Sequence, residues 1–427
     1  MFRFFGARRA GLAALAALAS VSVAARADDP GRVTLDQAVT RALDRNPTVA
    51  IAMAEIERAD ALLRQARAAS YPSLFGNATY TRLEGDRYSG PTVRTALQDQ
   101  IAASLLLTVP LVSPAAWAQA WHASDNRRIA EDSATDVRRQ LAVAAARAYL
   151  AVIAQHRVIT ANENARNTAQ AHYDYAHTRF VGGVGRSIDE VRAEQELRAN
   201  EVAVEGAYAG LARTREALGV LLAVDGPIDS ADDVALVPPP TLDAALSDAR
   251  ARRSDVRAQE TRVAAGERLV KDDWVYYAPI LSAVAQPFIQ KGLPLQPASG
   301  WQAQLILTLP LYDGGTRTGI ARERDALVVE ARATLDAAIR QAQSDVRSAF
   351  DTVVHADRAL TAARAGAVLA RRALELATLA YRAGATSNLE VIDASRASRA
   401  ADTAAVQAED VARQARLDLL AASGRFP

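Results

Sequence analysis

Residues Trp301 to Leu309 alternate strictly. Trp301, Ala303, Leu305, Leu307 and Leu309 fall on one side, and Gln302, Gln304, Ile306 and Thr308 on the other. Successive side chains of a strand point to opposite faces. The pattern therefore predicts a strand that is apolar on one side and mostly polar on the other. Pro310 stops it, and Asp313-Gly314-Gly315 turns the chain into a long Ala/Arg/Glu-rich segment. The same pattern stands earlier, in Ile101 to Leu111. Leu105, Leu107, Thr108 and Pro110 match Leu305, Leu307, Thr308 and Pro310 at a spacing of 200 positions, which Ser187 and Ser387 keep. Further upstream the spacing is 207, as in Thr34 with Thr241, Val49 with Val256 and Pro72 with Pro279. Unlike motifs at a shared spacing indicate an internal duplication. A seven-residue length difference lies between Pro72 and Pro110.

The helical elements follow. Thr34 and Gln37 form a capping box and open a helix to about Ser70, broken at Asn46-Pro47. After Pro72 comes a hairpin. Its first strand holds Leu74, Gly76, Ala78 and Tyr80 on one side, and its second strand runs from about Gln100 to Val109. Glu84 to Pro91 reads as the loop between them. From about Ser113 to Phe180 there is no Gly, and no Pro after Pro114. That predicts a helix about 100 Å long. Val181 to Arg186 breaks it, and Ser187 with Glu190 predicts a capping box on the next helix, which ends before Gly226. Residues 227–240 hold four prolines and read as a linker. The plan then repeats: a helix from about Leu242 to Tyr277, a hairpin from Pro279 to Pro310, and a long helix to about Arg382. A turn at Ala383 to Thr386 leads into a last helix capped by Ser387 and Glu390. In the first long helix Val137, Leu141, Ala144 and Ala148 are spaced as a coiled-coil seam requires.

The expected organisation is a signal peptide over 1–27, a first repeat over 28–226, the linker over 227–240 and a second repeat over 241–427. The leader reading rests on Arg3, Arg8 and Arg9, the apolar stretch Gly11 to Ala25 and the A-x-A site Ala25-Arg26-Ala27. No later stretch reaches the ~20 apolar residues of a membrane helix. Lys+Arg 50 against Asp+Glu 49 gives no basic excess for nucleic acid. The absence of cysteine excludes disulfides and thiolate metal sites. The five histidines form no H-x-x-x-H or H-E-x-x-H pair. No phosphate loop or catalytic constellation stands out. The expectation is a non-enzyme with no cofactor and no metal.

The strands decide the architecture. Segments of about ten residues with one apolar face match a tilted transmembrane strand. Four strands cannot close a barrel, and an open edge cannot sit in lipid. The chain must then oligomerise and share one barrel. The alternative is a soluble periplasmic coiled-coil scaffold or adaptor in which hairpins cap a helical stalk. It is favoured by the poorer alternation of Leu281 to Phe288 and by Pro287.

VTLDQAVTRALDRNPTV, SYPSL, LTVPL, LTLPLYDGG, RFVGGVGRSIDEV and AYRAGATSNLEVIDA, in this order, resemble the TolC-like outer-membrane efflux proteins. The resemblance covers nearly all of the chain after residue 27. It implies a mainly α fold with a small β part, a duplicated long-helix bundle whose four strands join a trimeric 12-stranded barrel. It implies an outer-membrane channel-tunnel, a passive exit duct in tripartite efflux or type I secretion. Its partners would be two further copies, a periplasmic adaptor, an inner-membrane transporter and outer-membrane lipid. Leu105, Leu107, Leu305 and Leu307 would face that lipid. Residues 227–240 would lie at the equatorial belt. Gly182, Gly183, Ser187, Gly384 and Ser387 would form the tip turns that meet the adaptor. Glu390 and Asp393 match acidic rings at the constriction, although Glu390 is also the N3 acid of its helix. Tyr381 and Asp189 match a tyrosine–acid hydrogen bond that holds the tip closed; Tyr381 packing between helices is the other reading. Thr386 stands where a basic residue reinforces closure in the family.

Overall fold

The computed structural model describes residues 31–231 and 238–426. The leader expected over 1–27 and residues 232–237 of the linker lie outside the described residues. Helix α1 (Leu35–Arg45) carries the expected capping box: the Thr34 side chain accepts from the Gln37 backbone at 3.3 Å, and Gln37 Oε1 accepts from Thr34 N at 3.1 Å. Asn46 is extended and its Oδ1 caps α2 (Pro47–Ala68) by accepting from Thr48 N at 2.9 Å. There follow β1 (Ser73–Arg82), β2 (Arg87–Ser89), β3 (Val93–Ala96), β4 (Asp99–Val112), α3 (Pro114–Val181) and α4 (Ser187–Leu221). The second half brings α5 (Leu242–Arg252), α6 (Ser254–Lys271), a 3-10 turn (Asp272–Tyr276), β5 (Ile280–Lys291), β6 (Ser299–Thr308), α7 (Thr316–Arg382) and α8 (Asn388–Ala422). The long helices have 68 and 67 residues, about 100 Å each. Among the described residues no helix is long and apolar enough to cross a membrane.

Four expectations are corrected. The helix expected from Leu242 to Tyr277 is broken at Arg253, which sits 207 positions after Asn46 and adopts nearly the same extended backbone (φ −65°, ψ 121° against −68°, 130°). No proline forces this break. The Arg253 side chain is buried and reaches Asp255 at 2.7 Å and Asp345 at 2.9 Å, so ion pairs with its own helix and α7 fix the bend. The loop expected over 84–91 contains half of a short ribbon, β2 against β3, in which Arg94 lies over the Tyr88 ring at 5.7 Å. The capping boxes at Ser187 and Ser387 do not form: neither α4 nor α8 has a side-chain cap bond, and their N-caps are Arg186 and Ser387. Ser187 therefore corresponds to Asn388, not Ser387, and the repeat spacing at the tip is 201 because α4 begins at 187 and α8 at 388. The seam in α3 is also wider than drawn. Val137, Ala144 and Ala148 are half-buried, and the fully buried set includes Ala142, Ala145, Tyr149, Leu150 and Val152. A single seam cannot serve a helix that packs against α1, α2, α4, α6 and α8 at once.

The four long strands form one antiparallel sheet in the order β1-β4-β5-β6, so the central pair joins the two halves of the chain. One apolar cluster gathers Val33, Tyr149, Leu150, Leu211, Leu218 and Ile228 from α1, α3, α4 and the linker. A second gathers Ala245, Ala249, Val346, Val353, Ala412 and Leu419 from α5, α7 and α8. The parallel bridge between Val33 and Ser230 ties the start of the described chain to the linker.

Candidate functional site

Two places concentrate the functional candidates: the sheet at one end of the long helices and the paired turns at the other.

The sheet register aligns the apolar halves of all four strands. Leu74 opposes Leu107, Leu107 opposes Ala285, and Ala285 opposes Ala303; Gly76 opposes Leu105, and Ala283 opposes Leu305. Because side chains alternate, these residues with Leu281, Leu307 and Trp301 share one face. Asn77, Thr79, Ser104, Thr108, Ser282, Gln286, Gln302 and Gln304 share the other, where Gln302 Nε2 donates to Gln286 Oε1 at 2.7 Å. Leu105, Leu305 and Leu307 are exposed, Leu305 at 72 %, and Leu107 is half-buried. Pro287 does not spoil the strand: it faces Trp301 on the apolar side. Trp301 is 77 % exposed and Tyr80 is also exposed near the same end, while Tyr71, Tyr277 and Tyr312 are exposed at the helical end. Amphipathic rings at both rims of an apolar band are the pattern expected at the two surfaces of a bilayer. The outer edges of β1 and β6 pair with no strand among the described residues.

At the other end, α3 turns into α4 and α7 into α8 by the same hydrogen bonds. Gly183 N donates to Phe180 O and Gly384 N to Tyr381 O, at 2.9 and 3.0 Å. Gly183 and Gly384 both take φ of 76°, which only glycine adopts without strain. Gly182 is not in that region, whereas Gly185 was overlooked: a Cβ there would lie 2.7 Å from Phe180 N. Ser187 and Ser387 are exposed on these turns.

Asn388 ties the turns together. It is almost fully buried, its Nδ2 donates to Asp189 O at 2.7 Å, and its Oδ1 accepts from His172 Nε2 at 2.5 Å. Burial pushes the His172 imidazole below its usual value, which suits a neutral ring donating through Nε2. Tyr381 is 6 % exposed and packs against His172 and Tyr175 of α3. Its hydroxyl makes no hydrogen bond to the Asp189 carboxylate within this chain. Burial raises the Tyr381 hydroxyl above its usual value, and the Asp189 charge adds to that, so the acid acts on the tyrosine through its field. Glu390 accepts from Thr386 Oγ1 rather than capping α8, and Glu190 on α4 pairs with His177 Nδ1 at 2.6 Å. Asp393 is exposed with no ion-pair partner among the described residues of this chain. Sequence reasoning missed His172, Asn388 and the lateral ties above them. There Arg396 Nε donates to the buried Glu196 at 2.7 Å, and Arg399 Nη1 donates to Asn200 at 3.0 Å. A polar groove of about 1100 Å³ runs between α3 and α7 over α8, with Arg157, Arg364, Arg371, Asp402 and Glu409 along it. Among the described residues no cluster of His, Cys, Asp and Glu could hold a metal ion.

Residues 38–224 and 245–425, which carry the alternating sheet, the paired Gly turns and the long helices, match the model of one family, described as outer membrane efflux protein. The chain belongs to the outer membrane efflux protein family. Outer membrane protein OprJ of Pseudomonas aeruginosa is 25 % identical over 423 residues, covering 91 % of this chain and 84 % of that protein. Among solved structures, CusC superposes with a TM-score of 0.80 at 18 % identity and covers 92 % of both chains. The open state of the MtrE outer membrane channel of Neisseria gonorrhoeae gives 0.75 at 20 %, covering 91 % of this chain and 88 % of that one. The protein is therefore an outer-membrane efflux protein, and the mainly α fold with a small β part expected from the strands and long helices is the one observed.

Proposed function

We propose that the chain is one third of a homotrimeric channel-tunnel. Three four-stranded sheets close a single 12-stranded barrel, with Leu105, Leu107, Leu305 and Leu307 toward lipid and the glutamine face toward the lumen. Residues 227–240 lie at the equator of the helical tunnel. The tip turns around Gly182, Gly183, Ser187, Gly384 and Ser387, with the groove above them, receive a periplasmic adaptor. An inner-membrane transporter supplies the energy, and the duct itself is passive. Three-fold symmetry brings three copies each of Glu390 and Asp393 near one axis, where an acidic ring favours cations over anions. The same assembly could serve efflux or type I secretion; the tunnel is common to both.

The observation that supports this reading most is the pair of open sheet edges. A sheet with one apolar face and unpaired β1 and β6 cannot stand alone in hydrocarbon, where each unsatisfied backbone group costs several kcal/mol. Pairing β6 of one copy with β1 of the next removes every edge. The soluble scaffold or adaptor reading leaves the aligned leucine face without a solvent.

Crosslinking in detergent should give a trimer, and the protein should stay with the outer membrane through a high-salt wash. Leu307→Arg should cost about 2–4 kcal/mol near the bilayer midplane and reduce assembled trimer. Thr308→Arg, on the lumen side, should be tolerated. A stable monomer, or greater damage from Thr308→Arg than from Leu307→Arg, would overturn the shared barrel.

A further inference from the structure

The tip holds a cluster that a tyrosine–acid hydrogen bond does not explain. The Arg179 guanidinium on α3 lies 5.5 Å from the centre of the Tyr381 ring on α7 and 5.9 Å from that of Tyr175. Arg382, the last residue of α7, lies 5.6 Å from the Tyr175 ring. Tyr175 and Tyr381 meet edge to face at 5.8 Å, and His172 closes the far side of Tyr381 at 5.6 Å. Guanidinium and aromatic groups thus alternate as Arg382, Tyr175, Arg179, Tyr381, and the row crosses from the first half of the chain to the second. Arg179 has no carboxylate within 4 Å among the described residues, so the two ring faces, with the Tyr381 hydroxyl beside them, are the contacts that hold its charge. A guanidinium over an aromatic face is attracted by the ring quadrupole, more strongly where water is excluded. Tyr381 is buried, so this attraction is only weakly screened by salt. The arrangement is one-sided: the residue that corresponds to Arg179 in the second copy is Ala380, and Thr386 brings no cation to the second turn.

We propose that Arg179 is the positioning residue that holds the α7–α8 coil against the α3–α4 coil, by stacking on Tyr381 and Tyr175, and so sets how tightly the resting channel is closed. The inference rests on the reading of the tip as the constriction. It makes the ring of Tyr381, more than its hydroxyl, the part that matters.

The test is conductance of purified trimers in planar bilayers, with trimer yield measured alongside. Arg179→Leu should raise resting conductance by about fivefold, the equivalent of one cation–π contact at a partly exposed site. Arg179→Lys, which keeps a charge over the ring, should raise it less. Tyr381→Phe, which keeps the ring and loses only the weaker hydroxyl contact to Arg179, should stay nearer to wild type, whereas Tyr381→Leu should open as far as Arg179→Leu, and the double variant no further. Wild-type conductance in Arg179→Leu, or equal opening by Tyr381→Phe and Tyr381→Leu, overturns the stack. The chain has no cysteine. Ser387→Cys can therefore be labelled selectively with a bulky maleimide, which should lower conductance if the tip is the narrow point. An unaffected labelled channel refutes the tip as constriction, while a blocked label with a silent Arg179→Leu refutes the stack alone.

Discussion

Leu211 and Ala412 occupy the same place in the two halves, and both are buried. So do Tyr149 and Phe350, but the first is fully buried and the second only half so. Leu150, fully buried, has the exposed Asp351 as its counterpart. The backbone plan is duplicated while the burial is not. The reason lies in the neighbours. α3 runs through the middle of the protomer between five helices, whereas α7 packs chiefly against α5, α6 and α8 and leaves one side open. In the proposed trimer that side meets the next copy. Duplication thus preserved lengths and turns, and position in the assembly then decided which faces became apolar.

The largest expected effect probes this difference directly. Leu150→Ala removes a fully buried side chain and should destabilise by about 2–5 kcal/mol. In the second half the sensitive change is the reverse one: Ala412→Leu inserts volume between close helices and should cost about 1–3 kcal/mol. Urea unfolding of the purified protein measures both. Stabilisation by Ala412→Leu would mean that the second cluster is underpacked rather than closely packed, and the comparison would have to be redrawn.

The breaks at Asn46 and Arg253 sharpen it further. Pro47 and the Asn46 cap make the first break local, so Pro47→Ala should change stability by less than about 1 kcal/mol. The second break has no proline and depends on a buried guanidinium with two acids. Arg253→Ala leaves Asp255 and Asp345 without that partner and should cost about 2 kcal/mol. Equal effects of the two substitutions in thermal unfolding would show that the bend is encoded locally in both halves.

The smallest effect concerns how each half is tied off. Behind α4, Asp229 takes His156 Nε2 at 2.7 Å and Arg215 on its other oxygen, while its backbone carbonyl accepts from Val33 N at 3.0 Å. Burial alone would raise the Asp229 carboxyl, but hydrogen bonds and charge from His156 and Arg215 hold it below the usual value. A depressed folded-state value means stabilisation that is complete above the unfolded value, near 4, and lost as pH falls through the folded one. Asp229→Asn should therefore lower stability by about 1 kcal/mol at pH 7, an effect that fades as pH falls below about 4 and through the folded value. Behind α8 the corresponding tie is Asp248 with Arg425 at 2.5 Å, and Arg425 is 36 % exposed. Asp248→Asn should shift the melting temperature less than Asp229→Asn at pH 7. The opposite ranking would remove the distinction.

Local pattern alone determined the elements of this protein. Alternation marked the strands and which of their residues share a face, because a period of two leaves no choice once one side must be apolar. A Gly-free run after Pro114 marked the first long helix and the duplication the second, Pro47 marked the first break, and the glycines the tip turns. That Leu105, Leu107, Leu305 and Leu307 share one face was legible for that reason. What only the tertiary structure decided are the features made by groups far apart in the chain. The break at Arg253 depends on Asp345, 92 positions away. The spacing of 201 at the tip hid behind a chance match of Ser187 with Ser387. Asn388 joins His172 and Asp189 across 216 and 199 positions. Tyr381 lies under Arg179 rather than bonded to Asp189. No local period reports a contact whose partners are set by how two coils lie side by side, because its energy belongs to the pairing and to neither segment by itself.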